Sequence, residues 1–294
     1  MAVTSPFQQL LDSTPVRRRS DSVADVATVW FEYGQESGRP LVFVHGFRGD
    51  HHGLETIAAH LPGYRILIPD LPGFGASAPL ADGSDIGGFA HWLRSFVAEH
   101  APDAPVLGHS FGSIVVAAAA RSGLQTPGII LVNPIGAPAL QGPKKVMSLA
   151  ALAYYRIAAA LPEAAGESLL SAPPIVRTMS IAMAKTRSRE ARRWIHDQHD
   201  RYFSEFADRA SLLDTFGVSI GFDVSQFAPD IEQPVLLIAA DRDDITPIAK
   251  QHRLRTVFPD AQLTVLHDVG HLVHYERPAE AASAIRRWIR ARAL

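Results

Sequence analysis

The chain has 294 residues, of which 47% are hydrophobic and 20% are charged, and its formal net charge at pH 7 is -2. This composition is typical of globular proteins, and the small net charge argues against a general electrostatic attraction to nucleic acid or to anionic membranes. The absence of cysteine excludes disulfides, thiolate nucleophiles and cysteine-ligated metals. No apolar run approaches the roughly 20 residues of a membrane-spanning helix, so we predict a cytoplasmic protein without a membrane span.

The first 25 residues have no clear apolar periodicity. They contain one basic cluster, Arg17-Arg18-Arg19. A twin-arginine export signal would need an apolar stretch after the arginines, and none follows. We therefore interpret residues 1–25 as a solvated N-terminal tail.

From residue 26 onwards, apolar strand-like runs alternate with helical patterns. Runs rich in β-branched and aromatic residues predict strands at 28–34, 40–47, 64–71, 105–110 and 128–135. Apolar residues at helical spacing predict helices at 49–61, 86–100 and 113–123. Such an alternation is typical of a mostly parallel sheet that has helices on both faces.

The alternation stops in the middle of the chain. Residues 137–222 hold apolar helical patterns without a convincing strand. Afterwards the sequence predicts strands at 234–242 and 261–269, a helix at 248–258 between them, and a terminal helix at 278–294. We therefore predict an α/β core over residues 26–136 and 223–294, interrupted by a helical cap at 137–222.

A serine lies where one predicted strand ends and a helix begins. Gly108 and Gly112 flank Ser110 in the stretch GHSFG. A serine hydroxyl is a weak nucleophile, so it must stand clear of the backbone, near a base and near hydrogen-bond donors. A tight turn exposes the side chain in this way, and small residues relieve the crowding on either side. The stretch therefore indicates that Ser110 is a nucleophile.

At this motif, G-x-S-x-G, the sequence resembles the α/β-hydrolase family over about residues 26–294. The resemblance implies the α/β-hydrolase fold with an inserted helical cap. It also implies, from the stretch VHGF at 44–47, that the backbone N–H groups of Phe47 and Phe111 bind the oxyanion. His45 then has a structural role in holding that loop.

The resemblance also implies the remaining members of a catalytic triad. His271, in the loop before the terminal helix, looks like the family's catalytic histidine. An imidazole with a pKa of ~6.5 can accept the serine proton and return it near neutral pH. Of Asp241, Asp243 and Asp244, the family spacing to Pro247 favours Asp243 as the residue that orients His271.

One further group of residues has the chemistry of a metal site. The stretch WIHDQHDRYF places His196 and His199 three residues apart, with Asp197 and Asp200 beside them. It lacks the H-E-x-x-H spacing, and a polar helix face also explains the pattern. We therefore predict no metal and no cofactor.

The resulting functional prediction is a serine hydrolase with a small-molecule substrate. It cleaves a carboxylic ester of a small or medium, mainly apolar substrate through an acyl-enzyme. One alternative is a carbon–carbon bond hydrolase of ring-cleavage diketones. Relatives of that kind often have asparagine before the serine and tryptophan after the histidine, where this chain has His109 and Leu272. A second alternative is a receptor-like member that binds a ligand and turns it over slowly.

Overall fold

The computed structural model describes residues 3–138 and 145–294. Eight strands of the described residues form one sheet, in the order β1-β2-β4-β3-β5-β6-β7-β8. The strands are β1 Val16–Val23, β2 Val26–Gly34, β3 Arg39–Val44, β4 Tyr64–Pro69, β5 Val106–His109, β6 Ile129–Val132, β7 Val235–Ala240 and β8 Ala261–Leu266. The helices are α1 Gln8–Ser13, α2 Glu55–Ala59, α3 Ile86–His100, α4 Phe111–Arg121, α5 Lys145–Ala160, α6 Glu163–Leu170, α7 Pro173–Met183, α8 Arg189–Tyr202, α9 Arg209–Gly221, α10 Ile248–Arg255, α11 Val273–Glu276 and α12 Pro278–Arg292.

The sheet is mostly parallel, as predicted. Strand β2 pairs antiparallel with both β1 and β4, whereas the pairs from β4 through β8 are parallel. The central strands are buried on both faces, which explains their near-continuous apolar sequence. The predicted fold class is confirmed.

Helices cover both faces of the sheet because successive side chains of a strand point in opposite directions. In β3, Val42 and Val44 belong to the core cluster that contains α3 and α4. The alternate residues Leu41 and Phe43 belong to the cluster on the other face, formed with α2 and α12. The strands are therefore held by packed helices on both faces of the sheet.

The N-terminal residues differ from the predicted tail. Residues 8–13 form α1, and Val16–Val23 pairs along its whole length with β2. Strand β1 lies at the edge of the sheet and most of its side chains are exposed, so it carries no apolar alternation that a sequence pattern could reveal. Arg17 and Arg19 each lie within 4 Å of the Glu32 carboxylate on β2, so the basic cluster contacts the sheet.

The first predicted helix is also shorter than expected. Instead of one helix over 49–61, a single 3₁₀ turn at His51–Gly53 precedes α2. The Asp50 side chain accepts a hydrogen bond from the His52 N–H and begins that separate turn. The apolar residues keep their helical spacing from the 3₁₀ turn into α2, so the sequence pattern could not show that these are two elements.

Between β6 and β7 the described residues form five consecutive helices, α5 to α9, which we call the helical insertion. Part of the predicted cap, residues 139–144, lies outside the described residues. An isolated antiparallel bridge between Phe74 and Phe206 joins the insertion to the core. None of the described helices is both long and apolar enough to cross a membrane.

Candidate active site

The four loops that carry the predicted site residues meet at the carboxyl ends of the parallel strands. They follow β3, β5, β7 and β8, which run parallel and end at the same side. Crevices outside the carboxyl ends of parallel strands are where α/β sheets bind ligands. Residues up to 226 positions apart in sequence are thus brought together, since the loops begin near residue 45 and end near residue 271.

Ser110 has a strained backbone between β5 and α4. Its φ is 52° and its ψ is -117°, a conformation that non-glycine residues rarely adopt. A Cβ on Gly108 would lie 2.5 Å from the Gly112 oxygen, and a Cβ on Gly112 would lie 2.3 Å from the Val44 oxygen. Both glycines are therefore required for the strand and helix to approach each other closely enough to make this turn.

The structure brings Ser110, His271 and Asp243 together in a chain of hydrogen bonds. His271 Nε2 lies 2.8 Å from Ser110 Oγ, and His271 Nδ1 lies 2.7 Å from Asp243 Oδ2. An ionised carboxylate only accepts hydrogen bonds, so Nδ1 carries the imidazole proton and Nε2 is free to accept from the serine. His271 and Asp243 are both buried, with 5% and 3% of their surface exposed.

Four hydrogen bonds hold the Asp243 carboxylate. Oδ1 accepts from the backbone N–H groups of Ile245 and Thr246, and Oδ2 accepts from Thr246 Oγ1 and His271 Nδ1. Burial by itself raises the pKa of Asp243, but the charge and hydrogen bond of His271 and the hydrogen bonds of Thr246 outweigh it. The pKa falls to about 2, so the side chain stays ionised beside His271 at neutral pH.

The neighbouring aspartates point elsewhere. Asp241 Oδ2 lies 3.1 Å from His267 Nδ1, and Asp244 Oδ2 lies 2.6 Å from Lys185 Nζ. Of the three acids in this loop, Asp243 is the one that contacts His271.

Phe47 and Phe111 lie beside Ser110 on two different elements. Phe111 is the first residue of α4, and its ring centroid is 6.4 Å from that of Phe47. A Cβ on Gly46 would lie 3.4 Å from Ser110 Cβ, so the loop after β3 passes directly over Ser110. His45 anchors this loop, because its Nδ1 lies 2.9 Å from the Gly46 oxygen and its Nε2 accepts from the Leu71 N–H at 2.8 Å.

A mainly apolar cavity of about 550 Å³ opens in front of Ser110. Its wall includes aromatic and aliphatic side chains from both the sheet edge and the helical insertion. Among them are Phe47, Phe111, Ala151, Tyr155, Phe203 and Phe216. Its size and lining suit a small or medium apolar molecule.

A model of the alpha/beta hydrolase fold family matches residues 39–278 of the chain. The chain belongs to the α/β-hydrolase fold family. The match includes the turn at Ser110, the loop after β3 and the loops of Asp243 and His271. The predictions of the family and of an α/β-hydrolase-type enzyme are thus confirmed.

Individual relatives are distant but cover most of this α/β hydrolase. Lipase 3 of Moraxella sp. (strain TA144) is 24% identical over 271 residues, which cover 87% of this chain and 78% of that protein. The 2-succinyl-6-hydroxy-2,4-cyclohexadiene-1-carboxylate synthase of Salmonella paratyphi B is 23% identical over 271 residues, covering 87% and 96%. The solved structure of a thermophilic esterase from Thermogutta terrifontis has a TM-score of 0.75 at 22% identity, covering 95% of this chain and 100% of that chain.

Asn133 is a site residue that the sequence analysis missed. It follows β6 with a φ of 44°, and its Nδ2 donates to the backbone oxygens of His271 and Gly270 at 2.8 and 3.2 Å. Its Oδ1 accepts from the Ala240 N–H at 3.0 Å. Asn133 therefore ties the histidine loop of this α/β hydrolase to β7. The signal was an asparagine directly after a buried strand, since asparagine tolerates the left-handed conformation.

His109, the residue before Ser110, is a buried neutral imidazole. Burial, assisted by the charge of His271, lowers the pKa of His109 to about 3. Its Nε2 lies 3.4 Å from the His271 backbone oxygen. His109 therefore lies beside His271 without adding a charge there.

The histidine pair in α8 has a different environment from the one a metal site requires. His196 Nδ1 and His199 Nδ1 lie 2.6 and 2.7 Å from the buried Ser180 Oγ on α7. Asp197 pairs with Arg201 on the same helix, and Asp200 pairs with Arg177 on α7. The histidines and Asp200 are therefore engaged in contacts between α7 and α8, and both acids are engaged in ion pairs.

Among the described residues, one group has side-chain atoms close enough to share a metal ion. It consists of Asp50, His51 and His52. Asp50 Oδ2 lies 3.0 Å from His52 Nδ1, and His51 Nδ1 lies 3.0 Å from Asp70 Oδ1. A metal ion would have to displace these hydrogen bonds, so the absence of a metal in this enzyme stays a prediction.

Proposed function

We propose that this protein is a serine hydrolase that cleaves carboxylic esters of small or medium, mainly apolar substrates through an acyl-enzyme. The observation that carries the proposal is the hydrogen-bonded chain from Asp243 through His271 to Ser110 at the wall of an apolar cavity. Nucleophile and base lie within hydrogen-bond reach, and a third group orients the base.

In the first half of the reaction, Ser110 Oγ attacks the ester carbonyl carbon while its proton moves to His271 Nε2. The carbonyl oxygen becomes an oxyanion, and the backbone N–H groups of Phe47 and Phe111 stabilise it. When the intermediate collapses, the carbon–oxygen bond to the alcohol breaks. The alcohol leaves with the proton from His271 Nε2, and the acyl group stays on Ser110.

In the second half, water replaces the alcohol. His271 Nε2 accepts a proton from the water as its oxygen attacks the acyl carbon, and the same N–H groups bind the second oxyanion. Collapse releases the carboxylic acid and returns the proton to Ser110 Oγ. Asp243 keeps the imidazole in the required tautomer and stabilises its charged form throughout.

Two observations support an apolar ester as the substrate. The cavity beside Ser110 is lined by Phe47, Tyr155 and Phe216, which offer dispersion contacts to an acyl chain. In addition, one relative carries the name lipase and one structural neighbour carries the name esterase. We further propose that residues 137–222 act as a cap that selects the substrate, on a core of residues 26–136 and 223–294.

The test is turnover of p-nitrophenyl esters of increasing acyl length, with an organophosphonate as a label for the nucleophile. We expect hydrolysis of these esters and stoichiometric labelling of the peptide that contains Ser110. Ser110→Ala must lose both while its thermal melt stays close to that of the parent. Labelling that persists in Ser110→Ala would reject Ser110 as the nucleophile.

A ring-cleavage diketone tested in parallel separates the alternatives. Turnover of the diketone with negligible ester hydrolysis would indicate the carbon–carbon bond hydrolase. Binding of ester or diketone without turnover of either would indicate a receptor-like protein.

A further inference from the structure

Arg48 follows Phe47 directly and is almost completely buried. It has a φ of 62°, which places it in the left-handed region, and 2% of its surface is exposed. An arginine seldom has this conformation or this degree of burial, and each is unfavourable by itself. The surroundings of Arg48 must therefore offset both costs.

The guanidinium group donates three hydrogen bonds, all to the helical insertion. Nη2 donates to the Leu170 oxygen at 2.6 Å, Nε to the Phe203 oxygen at 3.0 Å and Nη1 to the Tyr155 hydroxyl at 3.2 Å. The first two acceptors are the last residue of α6 and the C-cap of α8, and the third lies on α5. One side chain of the core thus joins three helices of the insertion.

The charge of Arg48 is balanced by dipoles. The carbonyl groups at a helix C-terminus carry partial negative charge, and Arg48 contacts two such ends. Its guanidinium carbon also lies 5.3 Å from the ring centroid of Phe203 and 5.7 Å from that of Phe206. The cation is therefore stable only where the two helix ends and the two rings come together.

We propose that Arg48 is a positioning residue that couples the position of the helical insertion to the oxyanion loop, the loop after β3 that carries Phe47. This inference rests on the proposed function, in which the Phe47 N–H binds the oxyanion. The Phe47 N–H belongs to the peptide bond between Gly46 and Phe47. His45 holds the Gly46 oxygen of that peptide bond, and the three hydrogen bonds of Arg48 fix the residue that follows it. Withdrawal of the insertion would remove those bonds and loosen the donor.

The expected kinetic effect is a fall in kcat with little change in KM. The oxyanion forms only after the ground state, so a displaced Phe47 N–H weakens transition-state binding. Loss of one oxyanion donor lowers kcat by ~10²–10³-fold, and a donor that is only loosened should cost less. For Arg48→Met we expect a fall of about 10–100-fold in kcat per labelled active site.

Three variants separate positioning from packing. Arg48→Met keeps the apolar stem and the backbone cost of the parent but removes all three hydrogen bonds. Arg48→Lys keeps the charge and can form one of the three hydrogen bonds. Its kcat should therefore lie between that of the parent and that of Arg48→Met. Tyr155→Phe removes a single acceptor and should produce the smallest fall.

Arg209→Met is the matched control. Arg209 also donates to carbonyl oxygens of the insertion, those of Ala158 and Leu161, but it belongs to the insertion itself. We expect it to lower the melting temperature without changing kcat per labelled site. Kinetics per labelled site are used because phosphonate titration removes the contribution of misfolded molecules.

Each outcome decides between the possibilities. An unchanged kcat per labelled site in Arg48→Met and Arg48→Lys would overturn the proposal while leaving the ester hydrolase intact. If kcat falls only for esters that also carry an ionised carboxylate, Arg48 is an anion-binding residue instead. If the parent protein shows neither ester turnover nor labelling, the proposed function fails and this proposal fails with it.

Discussion

Side chains of the same chemistry have different environments in the loop after β7. Asp243 is 3% exposed and accepts four hydrogen bonds, whereas Asp241 and Asp244 pair with His267 and Lys185 nearer the solvent. The difference arises because the chain turns at Asp243, where the N–H groups of Ile245 and Thr246 point back at its carboxylate. Only that side chain is both desolvated and directed at His271.

Asp243→Asn should lower kcat by about 10³–10⁴-fold. The N–H groups of Ile245 and Thr246 hold the asparagine oxygen, so its NH₂ group faces His271 Nδ1 and favours the tautomer that cannot accept the serine proton. A comparable substitution in a serine protease lowers kcat by ~10⁴-fold. Asp241→Asn and Asp244→Asn are the controls and should keep most activity. A folded but inactive Asp241→Asn or Asp244→Asn beside an active Asp243→Asn would show that the orienting residue is a different one.

Glu55 gives the stability a pH dependence. Burial raises the pKa of Glu55 to about 7; Asp50 adds to the shift, and His52 and the hydrogen bond with Tyr33 oppose it. The folded state therefore holds this proton more tightly than the unfolded chain, in which the pKa is ~4.3. The stabilisation is complete below that value and is lost as the pH rises through 7.

Glu55→Gln should be more heat-stable than the parent at pH 8 and nearly equal to it at pH 4.5. Glutamine resembles the protonated carboxyl group, so the variant does not incur the cost of a buried charge. The measurement is the melting temperature of both proteins across this range. A difference that does not change between pH 4.5 and pH 8 would contradict the assignment to Glu55.

At the scale of elements, helix α5 separates a cavity-lining face from an exposed face. Ala151 and Tyr155, one turn apart, line the cavity, and the Tyr155 ring stacks on Phe216 with 3.8 Å between centroids. Ala153 lies on the exposed face. The same helix thus offers a position that should affect substrate length and one that should not.

Ala151→Trp should shift the ester preference toward short acyl chains. The indole would occupy space in the cavity that a long acyl chain needs, and one methylene more or less is worth ~10–200-fold in such pockets. We expect kcat/KM for an octanoyl ester to fall at least about tenfold relative to an acetyl ester. Ala153→Trp, at a solvent-facing position of α5, should leave this ratio unchanged. If Ala151→Trp leaves the octanoyl-to-acetyl ratio of kcat/KM unchanged, the acyl group does not bind beside Ala151.

At the scale of the whole molecule, the N-terminal segment joins the core to the helical insertion. The Phe7 ring lies edge-on to His60 after α2 and to Trp194 on α8, with 5.6 Å between centroids in both cases. Trp194 also packs against Tyr275 of the core. These contacts hold the N-terminal half of α8 in place, whereas Arg48 contacts its C-terminal end.

Phe7→Ala should lower the free energy of unfolding by about 1–3 kcal/mol, less than the value for a fully buried phenylalanine because this ring is half-buried. Activity per labelled site should not change, since Phe7 does not line the cavity. Gln9→Ala, at an exposed position of helix α1 directly after Phe7, is the control. Equal denaturation midpoints for the two variants would mean that the segment does not stabilise the fold.

Several features of the site were predictable because their signals are local. The alternation of strands and helices follows from apolar periodicity within short windows, and the GHSFG turn is explained by the close approaches at Gly108 and Gly112. The choice of Asp243 depended on family spacing, and in the structure it is the aspartate in contact with His271. Strand β1 escaped prediction because an exposed edge strand needs no apolar alternation.

The sequence by itself determined the alternation of strands and helices after residue 26 and the fold family, and it singled out Ser110 and His271, because each of these depends on residues close together in the chain. The tertiary structure decided which distant residues support them. Asn133 holds the backbone of His271 across 138 positions, and Arg48 reaches Phe203 across 155. Such pairs leave no periodic or spaced pattern, since their partners are backbone carbonyl groups that every residue possesses. Which carbonyl groups pair with Asn133 and Arg48 is decided by how the loops and the helical insertion pack at the carboxyl ends of the strands.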